Sequence, residues 1–307
     1  MSKQRYTSFA WTVLGINLLV ILWGAFVRAT GSGAGCGSHW PLCNGEVVPN
    51  SPSFETFVEL THRVTSGIAF LLVAALLVWA CRLYPKGHRV RGAAWWSMIF
   101  MIGEAAVGAA LVLLELVGQN DSITRAWVMA LHLVNTFLLV GALTLLAWFA
   151  GGGPKLVWRE RPKTARLAML MLVASMILGA SGAVAALGDT LYAPTDLASE
   201  LREEFSGSAP LLKQLRILHP LIAVLTSLGI FHFVSRVRGT RGIPREARRW
   251  AGYLNLSVVS QLALGTLNIL LLAPIWMQLV HLLVADVVWI LLVLTAAAAL
   301  AESPEAA

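Results

Sequence analysis

Four of the seven histidines in this 307-residue chain recur in matched settings. "WVMALHL" places His132 five residues after Trp127, and "WMQLVHL" places His281 five residues after Trp276. "ELTHRV" holds His62 and "RILHPL" holds His219. Each lies inside a long apolar stretch, where an ionisable ring is costly and usually functional. One such imidazole is readily accounted for by an interhelical hydrogen bond. Four at matched positions suit transition-metal ligation, with haem iron the foremost candidate. The pairs would be His62 with His132 and His219 with His281, one bis-histidine porphyrin in each half. Zinc fits less well, since its sites usually recruit cysteine or carboxylate.

Two further features carry chemistry. Glu59 precedes His62 by three residues, so a helix sets carboxylate and imidazole on one face. There it serves as a catalytic acid or base, or merely as a favourable negative charge near a helix N-terminus. The matching residue before His219 is Arg216, a cation suited to porphyrin propionates. This asymmetry predicts one reactive porphyrin and one fixed cofactor. The loop "GCGSHWPLCNG" holds Cys36 and Cys43, two of only three cysteines, and a metal site, a staple or a redox couple would each explain them. Glu104, Asn135, Gln261, Asn268 and Asp286 read as polar glue within spans, with proton handling a second reading for Glu104 and Asp286. His39, His88 and His232 read as incidental.

The elements that position these residues follow from composition. The chain is 57% hydrophobic and 13% charged, with a mean hydropathy of +0.72, outside the soluble globular range. Eight stretches reach the roughly 20 apolar residues that a spanning helix needs: 8–28, 59–83, 93–117, 125–150, 165–187, 214–235, 247–272 and 276–300. Backbone groups in lipid must pair internally, so each is a helix. With the N-terminus cytoplasmic, 17 of the 23 Lys and Arg residues fall in inner loops and 6 in outer ones. The positive-inside rule then puts both termini in the cytoplasm. The net charge of +7 is thereby topological, and nucleic-acid binding drops out. Spans one to four and five to eight repeat one another, so the expected fold is an all-α integral membrane protein of two tandem four-helix bundles. A pseudo-twofold axis along the membrane normal relates them. Residues 1–150 form the N-terminal half, 151–164 a cytoplasmic linker and 165–300 the C-terminal half. All four histidines then lie near the outer face, an arrangement for chemistry on a porphyrin and not for carrying charge across the membrane. In the third outer loop, "DLASELREEF" reads as a surface helix with Leu197, Leu201 and Phe205 on one side.

Taken together, the eight spans, the histidine near the outer end of each even span, "ELTHR" and the "GCGSHWPLCNG" loop resemble haem A synthase over essentially the whole chain. The resemblance implies an enzyme of the plasma membrane that converts haem O to haem A. It would oxidise the ring D methyl to a formyl group through a hydroxymethyl intermediate. It implies that His62 and His132 ligate the substrate haem, that Glu59 is the catalytic carboxylate, and that His219 and His281 ligate a haem b that passes electrons. Haem O synthase and the terminal oxidase assembly pathway are the implied partners, and homo-oligomerisation is left open. Some relatives carry a second cysteine pair in the third outer loop; this chain has none there, and Cys81 is at the far end of its helix. A non-enzymatic dihaem b electron-transfer subunit linked to quinol, or a haem carrier, explains the histidines but not Glu59 or the cysteine loop.

The outer side is oxidising, which makes a Cys36–Cys43 disulfide the expected state. It is a structural staple or a reversible couple above the substrate porphyrin. Zinc would lack a fourth ligand.

Overall fold

The computed structural model describes residues 2–193, 196–199, 202 and 209–302. Among them, eight helical stretches are long and apolar enough to cross a membrane, and the chain is a multi-pass membrane protein. In order these are α1 (Lys3–Ala29), α2 (Phe54–Leu83), α3 (Arg89–Leu113), α4 (Ile123–Ala150) and α5 (Pro162–Leu191). A short α6 (Leu211–Leu215) leads into α7 (Leu218–Gly239), followed by α8 (Arg245–Leu270) and α9 (Ile275–Ala299). Of the expected surface helix at 196–205, Leu201 and Phe205 lie outside the described residues.

The helices begin where capping chemistry permits, not where hydropathy rises. Ser53 caps α2, its hydroxyl accepting from the Thr56 amide at 3.2 Å, so α2 starts five residues before its apolar window. Ser122 caps α4 in the same way, accepting from the Arg125 amide at 3.2 Å. Each satisfies an amide that the first turn leaves without a partner. His88 caps α3 through Nδ1, which accepts from the Val90 amide at 3.2 Å. Slight burial and the nearby Arg89 and Lys3 lower its pKa, which favours the neutral ring that can accept.

Packing follows one scheme twice. α1 touches α2 and α4, α2 touches α3, and α3 touches α4; likewise α5 touches α7 and α9, α7 touches α8, and α8 touches α9. The fourth helix of each set, α4 and α9, lies centrally, with Leu143, Leu146 and Ala147 on α4 and Leu292 and Ala299 on α9 fully buried. They meet where Phe137 and Trp289 stack at 4.9 Å and the Trp289 indole N–H donates to the Phe137 carbonyl at 2.7 Å. Leu19, Leu71, Leu225 and Leu256 are exposed, as side chains that face lipid are. Trp127 and Trp276 are exposed at the starts of α4 and α9, a position typical of interfacial aromatics. One cation ties the two sets together at the end that carries the histidines. From α1, Arg28 donates to the Ala186 carbonyl and the Thr190 hydroxyl of α5, each at 2.5 Å, and to Gln278 of α9 at 2.8 Å.

Candidate functional site

The loop between α1 and α2 is closed by a disulfide between Cys36 and Cys43, both fully buried. The Asn44 amide donates to the Cys36 carbonyl at 2.9 Å, and Cys43 and Glu46 exchange two backbone bonds of 2.9 Å. Gly35 seats this loop on α2: a Cβ there would land on the backbone of Glu55 and Thr56. The Thr56 hydroxyl donates to the Gly35 carbonyl at 2.7 Å.

One turn further along α2, Glu59 joins loop to helix. Its Oε2 accepts from the Cys36 amide at 2.8 Å. Its Oε1 accepts from Arg63 Nε at 3.1 Å and Nη2 at 2.5 Å. The remaining Arg63 terminal nitrogen donates to the carbonyls of His39 and Leu42, both at 2.6 Å. Glu59 is only 4% exposed, and a charge so buried is tolerated because it is paired and hydrogen-bonded. Capping falls to Ser53, so Glu59 is not a helix cap. Arg63, the last residue of "ELTHR", holds the loop in place through the backbone carbonyls of His39 and Leu42.

Closing so short a loop stabilises the folded chain by about 2–3 kcal/mol through chain entropy. Replacing Cys36 and Cys43 together by Ser is therefore expected to lower stability by about that much, read as a fall in thermal midpoint of the detergent-solubilised protein. Unchanged stability would mean that the Arg63 and Glu59 contacts hold the loop unaided.

The four imidazoles sit near the N-terminal ends of their apolar stretches, two in each set of helices. Each second-helix histidine lies against a glycine of the preceding helix. A Cβ on Gly24 of α1 would stand 2.9 Å from His62 Cε1, and one on Gly182 of α5 would stand 3.0 Å from His219 Cε1. The two glycines hold matching places in "GAFVRATG" and "GAVAALGD". His281 lies likewise against Gly265 of α8, where a Cβ would stand 3.1 Å from its Cε1.

Their polar partners differ. Nδ1 of His62 and of His281 is buried without a hydrogen-bond partner. His219 Nδ1 is 3.0 Å from the Ser181 hydroxyl, which itself lies 2.8 Å from the Leu178 carbonyl. A hydroxyl that donates to that carbonyl accepts from Nδ1–H, which leaves the lone pair of His219 on Nε2. Gln261 Nε2 is 3.2 Å from His281 Nε2, and Glu104 Oε2 is 3.4 Å from His132 Nδ1. Arg216 pairs with Asp189 of α5 at 2.8 Å. Asp286 is fully buried, and neither of its oxygens has a partner.

Such a donor set fits haem iron. Among the described residues no group of three or more His, Cys, Asp or Glu side chains could hold a bare metal ion. Two imidazoles per site suffice only when a macrocycle supplies the other four donors. Imidazole nitrogens buried in an apolar bundle without partners are costly unless a ligand engages the ring. Cε1 of His62, His219 and His281 comes so close to Gly24, Gly182 and Gly265 that a side chain there would press on the ring. Gly24→Ala is therefore expected to displace His62 and to cut haem uptake at the first pair several-fold, leaving the second pair loaded, as read from the Soret absorbance per chain. Full uptake would mean that the ring has room to shift.

The sequence matches the COX15-CtaA family, described as cytochrome oxidase assembly protein, over residues 7–293. It is 49% identical over 228 residues to a protohaem IX farnesyltransferase of Thermus thermophilus, an alignment covering 74% of this chain and 37% of that protein. It is 44% identical over 110 residues to a haem A synthase of Bacillus mycoides, covering 36% of this chain and 35% of that protein. A haem A synthase of Bacillus cereus is 43% identical over the same length. The chain thus spans little more than a third of the length of the curated relatives it matches. A family match that runs through every apolar span leaves one assignment: this chain belongs to the COX15-CtaA family of cytochrome oxidase assembly proteins.

Proposed function

We propose that the chain is a haem A synthase, a membrane oxidoreductase that converts the ring D methyl of haem O to the formyl group of haem A through a hydroxymethyl intermediate. The observation that carries this reading is four imidazoles near the same ends of the spans, two in each set of helices, with Gly24 against His62 and Gly182 against His219; they would act as the pairs His62 with His132 and His219 with His281. The repeated packing scheme supports two tandem halves, 1–150 and 165–300, joined by residues 151–164 and related by a pseudo-twofold axis along the membrane normal. The basic residues, concentrated at one end, support cytoplasmic termini and haem sites near the outer face. Haem O would occupy the first half and haem b the second, the latter passing electrons. The relative named for farnesylating protohaem supports a place directly after that step, with haem O synthase and terminal oxidase assembly as partners.

In this reading the residues have separate tasks. His62 and His132 bind and orient the substrate macrocycle, and the farnesyl tail extends between helices into lipid. The bound haem iron supplies the oxidising chemistry that an unactivated methyl requires. The disulfide-closed loop covers the first site and excludes water. Glu59 Oε2 keeps one lone pair beyond the Cys36 amide, and there it would take up one of the two protons that the hydroxymethyl group loses on becoming a formyl group, the two electrons leaving through the haem b proposed for the second half. Arg63 holds that carboxylate in register. In the second half no carboxylate stands where Glu59 stands in the first; Arg216 does, a cation oriented by Asp189 and suited to a propionate.

Co-expression with a haem O synthase, in a host that makes no haem A, tests the proposal. Pigment extracted from the purified protein should contain hydroxymethyl-haem or haem A. Folded, haem-loaded protein yielding haem b alone would overturn it in favour of an electron-transfer subunit.

A further inference from the structure

The two halves differ at a second matched position, one that the proposed function does not use. α3 carries Glu104 in "GEAAVG", and α8 carries Gln261 in "SQLALG" at the corresponding place. Each faces the histidine of the following helix. Glu104 Oε2 lies 3.4 Å from His132 Nδ1, whereas Gln261 Nε2 lies 3.2 Å from His281 Nε2.

Glu104 is held in place. Asn135 Nδ2 donates to its Oε1 at 2.6 Å and to the Phe100 carbonyl at 2.8 Å, which uses both amide protons. The Thr136 hydroxyl lies 3.2 Å from each carboxylate oxygen. Gly103 leaves room for this: a Cβ there would stand 2.6 Å from Asn135 Oδ1. The carboxylate is thereby aimed along α4 at the ring of His132, whose Nδ1 is buried with no hydrogen-bond partner. At 3.4 Å the pair is just too long for a hydrogen bond, and a small turn of the ring closes it. The histidine of a metal site nearly always donates its second N–H to an acceptor, which fixes its tautomer and raises its basicity.

We infer that Glu104 is the positioning residue for His132, accepting its Nδ1–H so that Nε2 faces the iron of the first site with added electron density, while Gln261 gives His281 only a neutral amide. This rests on the proposed haem ligation. An anionic acceptor behind one axial ligand favours the ferric state, so the first site has the lower reduction potential. Electrons then pass from it to the second site, the direction in which oxidation of a substrate in the first half must drain them.

Spectroelectrochemical titration of the haem-loaded, full-length protein tests this. Glu104→Gln should retain haem and lower the ferric preference of the first haem about tenfold, a positive shift of about 59 mV for one electron, with the second haem unmoved. Glu104→Asp should restore part of the difference. Should Glu104→Gln fail to fold, Glu104→Asp carries the test alone: its shorter carboxylate stands farther from His132, so the first haem should shift positive by less than about 59 mV, with the second haem unmoved. Potentials unmoved in every folded variant would overturn the role of Glu104 and leave the haem ligation standing. Wild-type protein that takes up no haem would overturn the ligation itself, and the inference with it.

Discussion

Replacing Glu59 by Gln is expected to reduce haem A formation by about 10²- to 10⁴-fold, the range over which a positioned acid or base acts, with both haems still bound. The substitution is nearly isosteric. The amide oxygen still accepts one bond at this site, from Cys36 or from Arg63, but the negative charge that Arg63 grips at 2.5 Å is gone. Arg63 also holds the carbonyls of His39 and Leu42, so a purely structural role for Glu59 predicts a different result. In that case Glu59→Gln would loosen the loop, speed proteolysis between Gly35 and Gly45, and leave turnover of bound substrate within a few-fold of wild type. Product yield and protease sensitivity, measured on one preparation, separate the outcomes.

The histidines carry the second large effect. His281→Ala or His219→Ala is expected to lower the haem b proposed for the second half about tenfold or more, since losing even an outer-shell partner of a metal costs about 10- to 100-fold. His62→Ala or His132→Ala should keep that haem and lose product. Pyridine haemochrome content per chain, measured beside product yield, checks both. The reverse pattern would exchange the roles of the two halves, and loss of all haem from any single variant would mean that the sites do not load independently. Arg28 bears on this last outcome, because it bonds α1 to both α5 and α9 at the histidine-bearing end. Variants should therefore be compared with Arg28 intact.

Several of the residues that matter were legible without coordinates because their signal is local. The Cys36–Cys43 bond forms as expected, since the two cysteines are only seven positions apart and Gly35, Gly37 and Gly45 in and beside the loop ease its return. Glu59 and His62 share a helical face because three residues are close to one turn. Gly24, Gly182 and Glu104 gave no comparable signal. A glycine in an apolar helix is unremarkable until a ring from another helix lies on it. Glu104 looked like one of several polar residues in the spans. Its distinction from Asp286 lies entirely in what faces it: Asn135, Thr136 and His132 in one case, and no hydrogen-bond partner in the other.

By itself the sequence determined the eight spans, the position of four histidines near the same ends of those spans and the membrane setting. These depend on hydropathy and periodicity, which act through the desolvation of a backbone that must pair with itself. Tertiary structure decided which carboxylate meets which cation. It joined Glu59 directly to the Cys36 amide and through Arg63 to the carbonyls of His39 and Leu42, turned Arg216 to Asp189, and set Glu104 behind His132. Such contacts depend on the rotation of one helix against another, which side-chain packing fixes to within an ångström and the apolar pattern leaves open.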